Sequence, residues 1–380
     1  MKCELVSSLA DVNRNEWDSL NTSNHPFTSY DFLNSLEMSE SVTAKTGWNP
    51  QHIIIKNNTG NIIGASPNYL KMHSYGEYIF DHAWANAFEN AGGQYYPKLL
   101  SAIPFTPATG PRILIDPKNP DNNKIFELII KMFEVIVQNN NLSSAHINFI
   151  TDNLNKKLNN EKWIKRKGLQ FHWHNRDYNS FDDFLSKLKS SKRKAIRKER
   201  RTIMNNNLVI QKVTGNELNN EIWDSFYNFY LNTIDKKWGG AYLTKNFFYL
   251  INKTMKNKIL LIIAKQNNKI VAGALNFIGS NTLYGRNWGS IVDIPFLHFE
   301  LCYYQAIEYA IDNNIKKVEA GAQGHHKIQR GYVAESTYSR HLIQNESFAK
   351  AVRNFVQLEA KEIDKQIQLI NEQGSPYSNI

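Results

Sequence analysis

A short basic segment near the end of the chain carries the side chains best suited to chemistry. His325 and His326 stand beside Lys327, and Arg330 follows three residues later. Histidine accepts a proton near neutral pH, whereas lysine and arginine stabilise negative charge that develops in a reaction. Glu319 lies upstream in a β-rich run, where an unpaired charge is costly. Glu319 is therefore either a carboxylate held at a functional site, or a carboxylate that faces solvent or a basic side chain.

A strand–helix–strand unit over residues 283–332 is predicted to position this segment. Asp293 and Pro295 mark the start of the helix, and Asn313 and Asn314 mark its end. Apolar residues between these positions recur at helical spacing, so this helix face is predicted to be core. Ligands usually bind beyond the carboxyl ends of the strands in such units. We therefore expect the basic segment to lie at a ligand-binding edge.

Composition places the chain among globular proteins. Of its 380 residues, 42% are hydrophobic and 21% are charged, which is typical of a globular protein. The length favours two domains. There is no apolar run of 18 residues and no signal-peptide core, so we expect a cytoplasmic protein without a transmembrane segment. Peripheral attachment to the inner membrane face stays an open alternative. Two cysteines are too few for a disulfide framework, and no metal site is predicted.

Much of the net charge of +10 comes from one segment. Residues 187–201 contain nine Lys or Arg side chains and a single acid, Glu199. Such a helix indicates an anionic partner, either tRNA or an anionic membrane surface. The third interpretation is a solvated helix that flanks a domain junction.

The chain contains two copies of one α–β–β–β–α–β plan. The copies are recognised from three pairs of segments: β-rich runs at 52–80 and 260–288, amphipathic helices at 124–140 and 298–314, and strands at 144–150 and 316–322. The first copy carries an insert at about 81–120 that is rich in proline, glycine and aromatic residues. This composition predicts a shaped loop, which either lines a binding pocket or packs only against itself.

Candidate substrate-binding residues lie in the insert and along the strands. Arginine and lysine there could hold phosphate or carboxylate groups, and aromatic rings could line a pocket. His172, His174 and Arg176 alternate along a predicted strand and would share one face. The full set is Lys71, His73, Tyr75, Tyr95, Tyr96, Lys98, Thr106, Arg112, His172, His174, Arg176, Arg286, Trp288 and Arg330.

No P-loop, G-x-S-x-G elbow, HExxH helix or Rossmann fingerprint is present, so nucleotide, serine-hydrolase and zinc-protease chemistry are poorly supported. The repeated plan resembles the GNAT-type N-acetyltransferases, without their coenzyme A pyrophosphate loop. Five long strings resemble the FemAB-like family of peptidoglycan biosynthesis or recognition proteins. They are NYLKMHSYGEYIFDHAWANAFENAGGQYYPKLLSAIPFTPATGPR (68–112), GLQFHWHNR (168–176), SSKRKAIRKERR (190–201), FLHFELCYYQAIEYAI (296–311) and EAGAQGHHKIQRGY (319–332).

The resemblance implies an α/β fold of two tandem GNAT-like domains, each a mixed sheet flanked by helices. We place them at 1–176, with the insert, and at 177–380, preceded by the basic helix. It also implies an N-acyltransferase that moves an aminoacyl or acyl group to an amine of a peptidoglycan or other cell-envelope precursor. The donor would be aminoacyl-tRNA, and no tightly bound cofactor is expected.

Two other functions stay open: an acyl-CoA-dependent N-acetyltransferase, and a non-catalytic module that recognises an anionic ligand. The family's Phe-Lys motif corresponds to His326 and Lys327, with histidine in place of phenylalanine. Under the transferase interpretation Lys327 stabilises the oxyanion. Glu319, His325 or His326 then accepts the amine proton.

Overall fold

The computed structural model describes residues 1–235, 240–321 and 324–378. The chain divides into two compact units. Unit 1 comprises Met1–Gly168 and Ser336–Asp364, and unit 2 comprises Leu169–Glu335 and Lys365–Ile380. The chain therefore returns to unit 1 after completing most of unit 2. The domain boundary predicted at residue 176 stays a prediction.

The strands are β1 (Lys2–Val6), β2 (Trp48–Pro50), β3 (His52–Lys56), β4 (Ile62–Ser66), β5 (Tyr69–Lys71), β6 (Lys98–Ser101), β7 (Leu114–Ile115), β8 (Ser144–Ile150), β9 (Trp163–His174), β10 (Val209–Thr214), β11 (Ile259–Gln266), β12 (Lys269–Ile278), β13 (Thr282–Ser290), β14 (Lys317–Glu319) and β15 (Val333–Ile343). The helices are α1 (Arg14–Leu20), α2 (Tyr30–Met38), α3 (His82–Asn90), α4 (Asn122–Asn139), α5 (Asp152–Lys157), α6 (Phe181–Ser186), α7 (Ser190–Met204), α8 (Asn220–Asp235), α9 (Lys245–Met255), α10 (Leu297–Phe299), α11 (Gln305–Asp312) and α12 (Glu346–Glu372).

Unit 1 contains two sheets. One has the order β1-β3-β4-β7 with antiparallel neighbours. The other runs β2-β5-β6-β8 and continues into residues 336–343 of β15, with β6 and β8 parallel. Helix α4 buries Ile125, Ile129 and Phe133, which recur every four residues and form one apolar stripe. This stripe packs with Ile53 on β3 and Ile147 on β8 in a single core.

Unit 2 is built on a sheet with the order β10-β11-β12-β13-β14, followed by residues 169–174 of β9. Only β13 and β14 pair in parallel. The run Ile259–Ala264 of β11 is buried throughout, and β11 packs against residues Glu300–Tyr304. Helix α8 lies so close to β13 that a Cβ on Gly289 would come within 2.1 Å of the Phe229 carbonyl oxygen. Glycine is therefore needed there for close packing.

Both units follow the same order of elements. Each has a strand, two helices, two antiparallel strands, a further strand, a long helix and a strand that follows it. In unit 1 the long helix is α4, and in unit 2 it runs from α10 to α11. The predicted tandem α/β plan, with sheets flanked by helices, is confirmed.

The insert at 81–120 is more regular than predicted. The sequence predicts a shaped loop, but this segment contains α3, β6 and β7. Trp84 and Ala85 of α3 pack into a small core with Val352 of α12. Proline and glycine in this segment flank the regular elements instead of interrupting them, which explains why composition alone predicted a loop.

Two histidines are buried side by side in unit 1. Nδ1 of His146 on β8 lies 2.5 Å from Nδ1 of His341 on β15. The Nε2 atoms lie 2.7 Å from the Ser144 hydroxyl and 2.8 Å from the Ser339 hydroxyl, respectively. Burial lowers the pKa of His146 to about 3 and holds the pKa of His341 well below its ordinary value. Both rings are therefore neutral at physiological pH.

We expect mild acid to destabilise unit 1 through this pair. The folded pKa values lie below the value of about 6.5 in an unfolded chain, so the unfolded state binds protons that the folded state excludes. The stabilising contribution is complete above about pH 6.5 and declines as the pH falls toward 3. At about pH 5 His146 alone should cost roughly 2 kcal/mol of unfolding free energy, measured by urea titration. As a control, replacing the exposed His82 by glutamine should leave this loss of unfolding free energy unchanged. A wild-type unfolding free energy that does not change between pH 7 and pH 5 would contradict the expectation.

Candidate functional site

The long helix of unit 2 begins with an irregular turn. A π-helical turn, Glu300–Tyr304, separates α10 from α11. Phe296, just before α10, has a left-handed φ of 69°. A π turn inserts one extra residue and redirects the side chains around it, and such turns are frequent at functional sites. Here His298, Cys302 and Tyr303 form one wall of a cavity.

The other wall comes from the strands of the same unit. Strand β13 pairs with β14 only over Thr282–Tyr284, and it continues to Ser290 after β14 has ended. The register between β12 and β13 shifts between Ala274 and Asn276. The cavity lies where this pairing stops and has a volume of about 90 Å³. Its lining consists of Ala274, Leu275, Asn276, Gly285, Arg286, Asn287, Trp288, His298, Cys302, Tyr303 and Ala320.

A cavity of this size has room for roughly six water molecules, or for one small acyl group. Arg286 and Trp288, both predicted to bind substrate, line it. Sequence reasoning missed His298 and Tyr303 and placed Cys302 in the core. Cys302 does pack against the core, and it also faces the cavity. Apolar spacing along the helix predicted a core face, because a π turn leaves no clear signal in sequence.

Tyr303 connects the cavity to an exposed histidine. Its hydroxyl lies 2.8 Å from Nε2 of His326, whose side chain is exposed to solvent. Burial raises the pKa of Tyr303 well above its ordinary value, so the phenol stays neutral. The hydroxyl and the imidazole can exchange a proton, and the histidine can release it to water. The neighbouring His325 is also exposed, and its ring lies near that of Phe171.

Lys327 is buried in a 3-10 helix, His325–Arg330, at 1% exposure. Its Nζ donates a hydrogen bond of 2.9 Å to the Gly321 carbonyl. In the described part of the chain Nζ has no other hydrogen-bond partner. Burial lowers the pKa of Lys327 to about 8, and an electrostatic interaction with Cys302 partly opposes this effect. In the described part of the chain Nζ therefore keeps donors beyond its bond to Gly321, although Lys327 is not among the residues that line the cavity.

Arg330 anchors the basic helix to this segment. Its guanidinium lies 3.4 Å from the centre of the Phe299 ring and donates to both oxygens of Glu199 on α7, at 2.8 and 2.9 Å. It also donates to the His326 carbonyl at 2.8 Å. The structure thus places this predicted binding residue in packing and ion-pair contacts.

Glu319 lies on β14 and is 4% exposed. One oxygen accepts a hydrogen bond of 2.5 Å from Lys317, and the other has no partner in the described part of the chain. Strand alternation turns Glu319 to the sheet face opposite Ala320, which lines the cavity. His172 is its register partner on β9.

His172 and His174 share one partner. The two oxygens of Glu335 contact Nδ1 of His172, at 2.7 Å, and Nε2 of His174. These hydrogen bonds hold the pKa of Glu335 well below its ordinary value, against its partial burial. The predicted common face of the two histidines is thus a hydrogen-bonded cluster. Arg176 is exposed and stacks on Tyr377 at 4.2 Å.

The predicted binding residues of unit 1 fall into two groups. Thr106 and Arg112 bond to nearby main chain: Thr106 Oγ1 donates to the Pro104 carbonyl at 3.0 Å, and Arg112 donates to the Ala108 carbonyl at 2.7 Å. Arg112 is completely buried. These contacts fix the course of the segment between β6 and β7.

The second group surrounds Lys98, which is completely buried. Its Nζ contacts Asp81 at 2.5 Å, Glu77 at 3.0 Å and the Ser74 hydroxyl at 2.9 Å. The same groups hold two more predicted residues: Tyr95 donates to Asp81 at 2.7 Å, and the Tyr96 hydroxyl lies 2.7 Å from Ser74. Burial raises the pKa of Glu77 to about 7 despite the neighbouring lysine.

Lys71 lies close to this cluster, and in the described part of the chain its Nζ forms no ion pair with a carboxylate. Its Nζ sits 3.7 Å above the centre of the Trp48 ring, 3.4 Å from Nδ1 of His73 and 3.3 Å from the Tyr75 carbonyl. Burial lowers the pKa of Lys71 to about 7. The structure therefore brings Lys71, His73, Tyr75 and Lys98 together around one loop of unit 1.

Within residues 1–235, 240–321 and 324–378, no group of three His, Cys, Asp or Glu side chains could hold a metal ion. Over the same residues, every helix is too short or too polar to span a bilayer.

Comparison with known proteins identifies the family. The model of the FemAB-like family, described as peptidoglycan biosynthesis/recognition, matches residues 8–379. The chain belongs to the FemAB-like family. The FemAB-like chain matches no curated protein.

Solved structures support the fold of this FemAB-like protein. FemX is 12% identical with a TM-score of 0.54, and the match covers 93% of this chain and 100% of FemX. L-PGS from Bacillus licheniformis is 8% identical with a TM-score of 0.52, covering 88% and 98% of the two chains. A conserved protein of unknown function from Bacteroides thetaiotaomicron is 12% identical with a TM-score of 0.53, covering 90% and 100%. The predicted family and the predicted α/β fold are confirmed.

Proposed function

We propose that this FemAB-like protein is an N-acyltransferase that moves an aminoacyl or acyl group to an amine of a peptidoglycan or other cell-envelope precursor. The observation that carries the proposal is the cavity where β13 and β14 stop pairing. It is large enough for one small acyl group, and Tyr303 contributes a phenol to its wall.

The reaction needs little covalent help from the protein. The acceptor nitrogen attacks the acyl carbonyl carbon, so a C–N bond forms and the C–O bond to tRNA breaks. The nitrogen loses one proton, and the leaving oxygen gains one. The protein must therefore bind the two substrates, stabilise the oxyanion and move a proton.

Lys327 is the proposed oxyanion donor. It is mostly protonated near neutral pH because its pKa is about 8. Its Nζ would keep the hydrogen bond to the Gly321 carbonyl and direct another N–H to the oxyanion as charge develops. A buried ammonium stabilises a nearby negative charge more strongly than one in water.

Tyr303 and His326 are the proposed proton path. The neutral Tyr303 hydroxyl would take the amine proton while it passes its own to His326. The exposed imidazole then releases the proton to solvent, and the leaving oxygen takes up a proton from water. Glu319, the other acceptor predicted from the sequence, has one buried oxygen without a partner in the described residues, but it lies on the sheet face opposite the cavity-lining Ala320, which favours Tyr303 and His326.

Replacing Tyr303 by phenylalanine should lower kcat by roughly 10²-fold, because the hydroxyl that carries the proton is lost. His326→Gln should have a similar effect, because the Tyr303 hydroxyl loses the partner that takes its proton. The exposed neighbour His325, changed to glutamine, is the matched control and should keep wild-type kcat. If Glu319→Gln abolished transfer while Tyr303→Phe did not, Glu319 would be the proton acceptor.

Transfer from labelled donors to an amine acceptor tests the function itself. We expect amide formation from aminoacyl-tRNA, with a peptidoglycan-precursor stem peptide as acceptor. Transfer from acetyl-CoA alone would favour the acyl-CoA-dependent alternative, in which a C–S bond breaks instead. Transfer from neither donor would contradict the proposal and favour a module that recognises an anionic ligand without catalysis.

A further inference from the structure

One side of the basic helix α7 is fixed to unit 2. Ile196 and Ile203 are buried in the core of this unit. Glu199 binds Arg330, and Arg200 donates to Glu300 at 3.1 Å. These contacts set the rotation of the helix about its axis and determine which side chains face solvent.

The opposite side of α7 is a cationic stripe. It consists of Lys194, Arg197, Lys198 and Arg201, which are all exposed and which repeat at three- and four-residue spacing on one helix face. Arg197 contacts Asp182 at 3.2 Å, but both side chains are more than half exposed, so this pair neutralises little charge. In the part of the chain that the structure describes, Lys194, Lys198 and Arg201 form no ion pair.

An exposed apolar side chain extends the cationic stripe. Met204, three residues beyond Arg201 on α7, is 70% exposed. Cations beside an exposed apolar side chain are typical of surfaces that rest on a bilayer. RNA would be held mainly through its phosphates by the same cations, and an exposed methionine adds nothing to such contacts. Met204 therefore favours a bilayer.

We propose that the cationic stripe of α7, with Met204, docks the protein on an anionic lipid bilayer. The cations approach the lipid headgroups, and the methionine side chain enters the interfacial layer. The inference concerns where the protein binds and does not depend on the proposed acyl transfer. A surface-bound enzyme would nonetheless be well placed for acceptors that are anchored in lipid.

Co-sedimentation of the full chain with lipid vesicles tests this surface. We expect binding to vesicles of phosphatidylcholine with about 30% phosphatidylglycerol, weakening as salt rises, and little binding to phosphatidylcholine alone. The triple variant Lys194→Gln, Lys198→Gln, Arg201→Gln should bind roughly 100-fold more weakly. Met204→Ser should cost only a few-fold and should leave the salt dependence unchanged.

A matched control removes the same charge elsewhere in the chain. Circular dichroism checks that every variant is folded. The control triple variant changes three exposed lysines of unit 1 to glutamine: Lys118, Lys131 and Lys156. It should bind anionic vesicles as tightly as the wild type does.

Three outcomes would overturn the proposal. The first is no binding to anionic vesicles, and the second is equal weakening in both triple variants. The third is salt-dependent binding to tRNA that the stripe variant abolishes while vesicle binding persists, which would assign the stripe to RNA.

Discussion

Lys327→Ala should lower kcat for acyl transfer by roughly 10²- to 10³-fold, the effect typical of removing one oxyanion donor. The buried ammonium has a single hydrogen bond, to Gly321, in the described residues, so its remaining donors are available to the oxyanion. KM for the acceptor should change little, because the interaction forms only as negative charge develops. Single-turnover rates with saturating donor measure the effect directly.

The pH profile of the wild type gives a second readout. A lysine with a pKa of about 8 loses its proton above that pH, so kcat should decline on the alkaline side. Lys316→Ala is the matched control because this neighbouring lysine is 58% exposed and pairs with Asp177. Near-normal turnover in folded Lys327→Ala would remove this residue from the mechanism.

Lys98→Met should be the most destabilising single substitution considered, costing roughly 3–5 kcal/mol of unfolding free energy. The methionine fills a similar volume, so the loss comes from charge. Glu77 and Asp81 would be left buried without their cation, with 3% and 1% exposure. Urea unfolding, followed by tryptophan fluorescence, measures the change.

Two further variants separate charge from packing. Lys162→Met breaks a surface pair with Glu134, in which the lysine is 67% exposed, and should cost less than about 1 kcal/mol. Adding Glu77→Gln and Asp81→Asn to Lys98→Met should recover part of the lost stability, because no uncompensated charge remains. A cost below about 1 kcal/mol for Lys98→Met would show that the cluster does not stabilise unit 1.

Much of the fold could be predicted because hydrophobic periodicity dictates it. The helices predicted at 124–140 and 298–314 correspond to α4 and to the run from α10 to α11, and the strand predicted at 144–150 is β8. The insert could not be predicted, since β5 and β6 pair through residues far apart in sequence. Long-range pairing of short strands leaves no periodic signal.

The candidate site was only partly predictable. Arg286 and Trp288 were found because polar residues near a strand end suggest a ligand. Tyr303 was missed because the apolar spacing of a regular helix predicts a core position there, and the sequence does not reveal the π turn. Lys98 was predicted to bind substrate, and its burial depends on Glu77 and Asp81, whose proximity the sequence does not reveal.

The most direct test of the account is whether an acyl donor fills the cavity beside β13. Cys302 lines this cavity, and Cys3, the other cysteine, can be changed to serine so that alkylation reports on Cys302 alone. With Cys3→Ser protein, aminoacyl-tRNA at concentrations that support transfer should slow alkylation of Cys302 by iodoacetamide at least about tenfold. An unchanged alkylation rate with both aminoacyl-tRNA and acetyl-CoA would contradict the account.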